Sequence, residues 1–260
     1  MKSSLRVTLM QITLEWENSC KNLDRVEDLI RIFSLQSDLI VLPEMFTTGF
    51  TMHARQLAQE SDGPTMQRVK QWAATCNVAI AGSFIAKQDE HYFNRGFFAY
   101  PDGEVVFYDK RHLFRMAGED KTFTAGDKQC IVAYKGWNIC LQICYDLRFP
   151  VWSRNVDNGY DLLLYCANWP KPRREPWKIL LPARAVENLS YVCGVNRVGS
   201  DNAGNVYWGD SMAIDMKGEI LCHLEETEQC VTVELDYDKL QRFREKFACW
   251  KDADRFTLTF

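Results

Sequence analysis

Residues 38–42 (DLIVL) form a short run with no polar face, and the run stops at Pro43-Glu44. A strand of that kind is buried on both sides, so it belongs to a sheet covered by other layers. The rest of the chain agrees. Short apolar runs alternate with amphipathic ones, the pattern of an α/β fold. Residues 5–12, 78–85, 161–166 and 191–197 read as further strands. Residues 18–33 read as a helix, with Leu23, Val26, Ile30 and Phe33 at helical spacing, and 65–76 and 237–247 read as two more. Hairpins interrupt the alternation. Pro101-Asp102-Gly103 separates 92–100 from 104–108, Lys135-Gly136 separates 129–134 from 137–143, and Lys217-Gly218 separates 211–215 from 219–224, with 230–235 following. Mixed strand directions are therefore expected. Residues 149–158 are expected to be helical. Residues 175–188 are too, with Pro176 suited to a first turn, but Pro182 implies a kink or a helix start at that point. The pattern amounts to two sheets, or one large mixed sheet, with helices outside. No linker or break in composition appears, so residues 1–260 read as a single domain with a tail at about 250–260. Phe256, Leu258 and Phe260 alternate in that tail, which either pairs with a neighbouring subunit or packs on its own chain.

Composition excludes several classes. Hydrophobic residues at 47% and charged residues at 25% supply a core that needs no metal or disulfide staple. A net charge of -4 lacks the basic footprint of a nucleic-acid binder. No apolar run approaches the roughly 20 residues of a membrane span. The first strand contains Gln11, and Thr13 follows it, so this stretch reads as a buried strand and not as a secretory segment. The 10 cysteines sit mostly in apolar runs, as Cys140, Cys166, Cys193 and Cys222 do. In a chain this long without an export signal they read as reduced thiols of a cytoplasmic protein. No CxxC pair supports zinc or redox chemistry.

Three residues with chemical capacity follow apolar strands. Glu44 ends the first stretch, DLIVLPEMFTTGF. Lys110 follows another strand, within VVFYDKRHLFRMAGED. Cys144 ends the strand in WNICLQICYDLRFP, just before the expected helix. Strand ends are where α/β proteins place working residues, and such an elbow presents a nucleophile while leaving backbone N–H groups free for an oxyanion. Taken singly, a loop glutamate, a surface lysine and a core cysteine would each be the plainer reading.

Together these segments resemble, in order, three blocks of the nitrilase, or carbon–nitrogen hydrolase, family. Leu42-Pro43-Glu44 resembles its first block, Tyr108-Asp109-Lys110 its second and Ile143-Cys144-Tyr145-Asp146, followed by Arg148-Phe149-Pro150, its third. Ala167-Asn168-Trp169-Pro170, Ala183-Arg184-Ala185 with Glu187-Asn188, Asn196-Arg197-Val198-Gly199 and Gly209-Asp210-Ser211 add to the match, which spans residues 5 to 235. The resemblance implies a four-layer αββα sandwich of two mixed sheets, usually paired as a homodimer or higher homo-oligomer. It also implies roles: Cys144 as nucleophile, Glu44 as base and Lys110 as oxyanion partner together with the Tyr145 N–H.

That chemistry needs those residue types. A thiol splits amide hydrolysis into acylation and hydrolysis of a thioester. Its usual pKa of about 8.5 leaves it protonated at neutral pH, so a base is required. Glu44 would take that proton, pass it to departing ammonia and then activate water. No metal or organic cofactor is needed. The family often carries a second glutamate after the lysine. Glu119 is the match, with Asp120, Asp109 and Asp146 competing, and His112 reads as structural. A thiolate in an open cleft would also be alkylated ahead of the other nine cysteines.

His112-Leu113-Phe114-Arg115-Met116 and the Ala167–Pro170 block resemble the ω-amidase branch, whose substrates are terminal amides of 2-oxo acids such as 2-oxoglutaramate. Such a substrate carries a remote carboxylate, so a cation is expected in the pocket. Arg115 and Arg173 are the candidates, whereas Arg148 would support the elbow. Phe46, Tyr145 and Trp169 are expected to wall the pocket. The same three central residues would serve an aliphatic amidase, an N-carbamoyl amidohydrolase or a nitrilase. A non-catalytic binding protein on this fold is the alternative of a different class.

Overall fold

The structure, a computed structural model, describes residues 4–258. In chain order it begins with β1 (Ser4–Gln11), α1 (Ser19–Phe33), β2 (Leu39–Val41), the short α2 (Ala54–Leu57), α3 (Pro64–Cys76), β3 (Ala79–Gln88), β4 (His91–Ala99) and β5 (Val105–Asp109). It continues with the one-turn α4 (Glu119–Thr122), β6 (Cys130–Tyr134), β7 (Trp137–Ile143), β8 (Leu162–Ala167), α5 (Arg174–Asn188), β9 (Tyr191–Asn196) and β10 (Val198–Ser200). It closes with β11 (Val206–Trp208), β12 (Met212–Ile214), β13 (Ile220–His223), β14 (Gln229–Asp236) and α6 (Tyr237–Lys246).

The strands form two six-stranded sheets, ordered β14-β1-β2-β3-β4-β5 and β13-β12-β9-β8-β7-β6, with β10 and β11 as a separate ribbon. Each sheet has three parallel strands at its centre, β1-β2-β3 and β7-β8-β9, and antiparallel strands outside them. The mixed directions read from the hairpins are therefore present in both. Side-chain alternation explains the layers. Leu39 and Val41 of β2 point with Leu5, Val7 and Leu9 of β1 into the core shared with the second sheet. Ile40 and Leu42 point the other way, onto Val26 and Ile30 of α1 and Val69 and Trp72 of α3. That is why the 38–42 run has no polar face. Trp177, Leu181 and Ala185 of α5 and Leu240 of α6 cover the second sheet, completing an αββα sandwich.

Helix α1 starts where Asn18 accepts a hydrogen bond from the Lys21 N–H at 3.2 Å, a side-chain N-cap. One expectation for helices is corrected, and the helix-start alternative at Pro182 falls. Residues 149–158 do not form a helix; a 3₁₀ turn spans Cys144–Arg148 and a second spans Val156–Asn158. Asp157 and Asn158 adopt left-handed φ of 52° and 53°, which an α-helix cannot propagate. At α5, Pro182 neither starts nor ends the element: one helix runs from Arg174 to Asn188 through it. The cost of the missing N–H is offset by burying Trp177, Leu181 and Ala185. In the tail, Leu258 packs against the core of its own chain, and Phe256 to Leu258 lie beside Trp152 and Val156. Phe260 lies outside the described residues.

Candidate active site

The two sheets bring the ends of three inner strands and of the edge strand β5 together. Glu44 lies just past β2, Lys110 just past β5, Cys144 just past β7 and Asn168 just past β8. Glu44, Lys110 and Glu119 are at most 1% exposed, and Cys144 is 9% exposed. Lys110 Nζ donates to Glu44 Oε1 at 2.8 Å and to both oxygens of Glu119 at 3.0 Å. Asn94 Nδ2 also donates to both carboxylates, at 2.8 Å to Glu44 and 3.1 Å to Glu119. Ser83 Oγ orients that amide by donating to Asn94 Oδ1 at 3.0 Å. The Asn168 N–H donates to Glu44 Oε2 at 2.8 Å, and the Phe114 N–H donates to Glu119 Oε2 at 2.5 Å. Two buried carboxylates thus share one ammonium, with neutral donors satisfying the remaining oxygens.

Electrostatics follow from that arrangement. Burial would lower the Lys110 pKa, but Glu119 and Glu44 outweigh it and hold the ammonium well above its usual range. Burial, and then the charge of Glu44, push Glu119 up, while Lys110 opposes both. The Cys144 thiol is also pushed well up, by burial first and then by Glu44, against the pull of Lys110. Cys20 and Cys249 are exposed whereas Cys144 is 9% exposed, and alkylation followed by mass spectrometry reads which thiol reacts first.

Cys144 has a φ of 44°, a strained left-handed value for a residue with a Cβ, and so does Met45 beside Glu44. Asp146 holds the cysteine turn. Its Oδ2 accepts from Tyr108 Oη at 2.7 Å and from the Ile143 N–H at 3.0 Å. Its Oδ1 accepts from the His112 N–H at 2.9 Å and lies 2.8 Å from His112 Nδ1. The His112 ring is stacked on Phe149 with centroids 3.7 Å apart. His112 thus bonds Asp146 rather than the cysteine. Replacing Tyr108 by phenylalanine should lower stability by about 1–3 kcal/mol, since Asp146 loses a buried donor. Thermal melting measures this, and an unchanged melting temperature would mean that the Tyr108 bond does not brace the turn.

A pocket opens onto Cys144 and Lys110. Phe50, Phe114, Tyr145, Trp169 and Tyr207 supply aromatic walls, and Arg148 and Arg173 supply cations. The Arg148 guanidinium lies 5.2 Å from the Trp169 ring centre and that of Arg173 lies 4.8 Å from Phe114. Tyr145, Trp169 and Arg173 are thus where the sequence led us to expect them. Two candidates are not. Phe46 is fully buried in the helix-side core with its ring 5.9 Å from Phe97. Arg115 is 86% exposed on the outer surface, 3.9 Å from Asp120. Among the competing carboxylates, Asp109 pairs with Arg95 at 2.7 Å and Asp146 braces the turn, so Glu119 is the one that meets Lys110. Asn94 was missed, although a lone asparagine in the apolar run 92–100 was a usable signal. Phe50, Phe114, Asn205 and Tyr207 carried no such signal. Among the described residues no group of three or more His, Cys, Asp or Glu side chains is disposed to hold a metal ion, and no helix is long and apolar enough to cross a membrane.

Comparison with known proteins agrees with this geometry. The family model described as carbon–nitrogen hydrolase matches residues 6–245. Omega-amidase YafV of Escherichia coli (strain K12) is 47% identical over 257 residues, covering 98% of each chain. The 2-oxoglutaramate amidase of Bacillus subtilis (strain 168) is 32% identical over 250 residues, covering 95% of this chain and 96% of that one. The crystal structure of XC1258 from Xanthomonas campestris, a CN-hydrolase superfamily protein with an arsenic adduct in its active site, superposes with a TM-score of 0.97 at 41% identity, covering 98% of this chain and 99% of that one.

Proposed function

The chain belongs to the carbon–nitrogen hydrolase family, and on that premise we propose that it is an ω-amidase, cleaving the terminal amide of a small 2-oxo acid amide of the 2-oxoglutaramate or 2-oxosuccinamate type. It is a hydrolase of carbon–nitrogen bonds other than peptide bonds, and its relatives are amidases. The finer reading rests on one observation. Arg148 and Arg173 line the pocket of Cys144, and among the described residues neither is ion-paired. Each guanidinium instead lies over an aromatic ring. Two unpaired guanidiniums suit a substrate that carries a carboxylate away from its scissile amide.

The reaction uses the groups around Lys110. Cys144 Sγ attacks the amide carbon as Glu44 takes the thiol proton, which explains how a thiol raised by burial can serve as nucleophile. The Lys110 charge and the Tyr145 N–H, at the open first turn after β7, stabilise the oxyanion. Glu44 returns the proton to departing ammonia, then activates water to release the acid from the thioester. Glu119, bonded to Lys110 through both oxygens, positions the ammonium. Thiol, carboxylate and ammonium suffice for these steps, so the chemistry calls for no metal or organic cofactor. We further propose a cytoplasmic homodimer or higher homo-oligomer with neither nucleic acid nor membrane as partner. Exposed Ile179 and Val186, seven residues apart on α5, are a surface that pairing would cover, and light scattering tests it.

Ammonia release from a panel of amides, an N-carbamoyl amino acid and a nitrile tests the substrate. Release from 2-oxoglutaramate is expected to exceed that from the rest, and none at all would end the ω-amidase reading. Arg173→Met and Arg148→Met should each raise KM about 10–100-fold with a smaller effect on kcat, as loss of a charged hydrogen bond to the substrate does. A KM unchanged in both variants would remove the arginines from substrate recognition.

A further inference from the structure

We propose that the side-chain oxygen of Asn168 accepts a hydrogen bond from the scissile amide nitrogen, which makes Asn168 the residue that distinguishes an amide from an ester. The proposal rests on the roles given above to Cys144 and Glu44. Asn168 is 4% exposed and lines the pocket beside Cys144 and Lys110. Its backbone N–H donates to Glu44 Oε2 at 2.8 Å, and its Nδ2 donates to the Glu44 carbonyl oxygen at 2.5 Å. A carbonyl oxygen only accepts, so the amide orientation is set: nitrogen toward the Glu44 backbone, Oδ1 on the other branch. Among the described residues Oδ1 has no donor, and no other pocket-lining side chain has a buried polar atom without a partner. Leaving a buried acceptor unmatched costs free energy that a ligand N–H recovers.

The placement fits the reaction. As the S–C bond forms, the thiol proton passes to Glu44. The C–N bond then breaks and that proton goes to the nitrogen, which leaves as ammonia. Any nitrogen within reach of Glu44 is close to Asn168, which is bonded to that same glutamate twice. One substrate N–H on Oδ1 would turn the nitrogen lone pair toward Glu44. In the second half water gives one proton to Glu44, its oxygen bonds the acyl carbon, the S–C bond breaks and the proton returns to sulfur. The second O–H of that water can use Oδ1 again. A methyl ester has no N–H to offer, so its acylation gains nothing from Asn168.

The test compares kcat/KM, which reads acylation, for 2-oxoglutaramate and for the 5-methyl ester of 2-oxoglutarate. Both are measured on the wild type, on Asn168→Ala and on Asn168→Leu, the second keeping side-chain bulk in case the first folds poorly. The amide value is expected to fall about 10-fold or more beyond any fall for the ester. Damage to Glu44 alone would lower both, because both need its proton. Equal falls, or no fall for either, would overturn the proposal. If the wild type releases no ammonia from 2-oxoglutaramate, the substrate reading fails separately, and the same ratio is read on succinamate and monomethyl succinate.

Discussion

Cys144→Ala is expected to lower kcat by about 10⁴-fold or more while leaving the fold intact. No neighbouring group can replace the sulfur. Cys166, at the end of β8, is the other cysteine close enough to feel Glu44 and Lys110, and burial pushes its thiol far up as well. The substitution keeps the Cβ, so the left-handed strain at φ 44° is unchanged and Asp146 still holds the turn. The loss of one buried sulfur should cost about 1–2 kcal/mol. Ammonia release and thermal melting on the same preparation measure both. A variant that keeps a tenth of the wild-type rate would place the nucleophile elsewhere.

Lys110→Met should be the more damaging change to the molecule. It should lower kcat about 10²–10³-fold through the oxyanion, and lower stability by about 3–5 kcal/mol because two buried carboxylates lose their counter-charge. The stability loss carries a pH signature. In the wild type, burial and then Glu44 already raise Glu119 above its usual 4.5, and Lys110 restrains that rise. A carboxyl with a raised folded pKa holds its proton more tightly when folded. It therefore costs stability progressively as pH climbs past 4.5 and through the folded pKa. Without Lys110 the raised window widens. The melting temperature of Lys110→Met, relative to wild type, should drop as pH rises from about 5 to 8. Adding Glu119→Gln should recover part of the loss by removing one unpaired charge. A deficit independent of pH would show that the ammonium is not what restrains the rise at Glu119.

Periodicity made legible two sheets, or one large mixed sheet, with helices outside, and the resemblance to the family supplied the four-layer αββα order. A five-residue run without a polar face must be covered on both sides, and alternating Leu39, Ile40, Val41 and Leu42 do face both layers. The region after Cys144 was misread for a local reason. Asp146 draws the turn back onto Ile143, and Asp157 and Asn158 take a left-handed backbone that a helix over 149–158 cannot include.

Glu44, Lys110 and Cys144 each follow an apolar strand directly, which is a local property, but what marked them was their joint placement in blocks that resemble one family. Tertiary structure decided what loops and facing layers contribute. The resemblance favoured Glu119 over Asp109, Asp120 and Asp146, and the fold gives the reason: Asp109 ends β5, Asp146 lies in the turn after β7, and Glu119 is the one that α4 buries against Lys110. Phe46 and Phe50 lie four residues apart in one segment, yet only the second lines the pocket. Arg115 was too close to the motif to discount, but its turn aims it at solvent, whereas Arg148 follows the cysteine turn inward. Asn168 owes its role to a contact across the two sheets, with a glutamate 124 residues away. Burial of a strand is written in neighbouring residues. The partners of a buried polar atom are set by which layers pack together, and only the folded chain decides that.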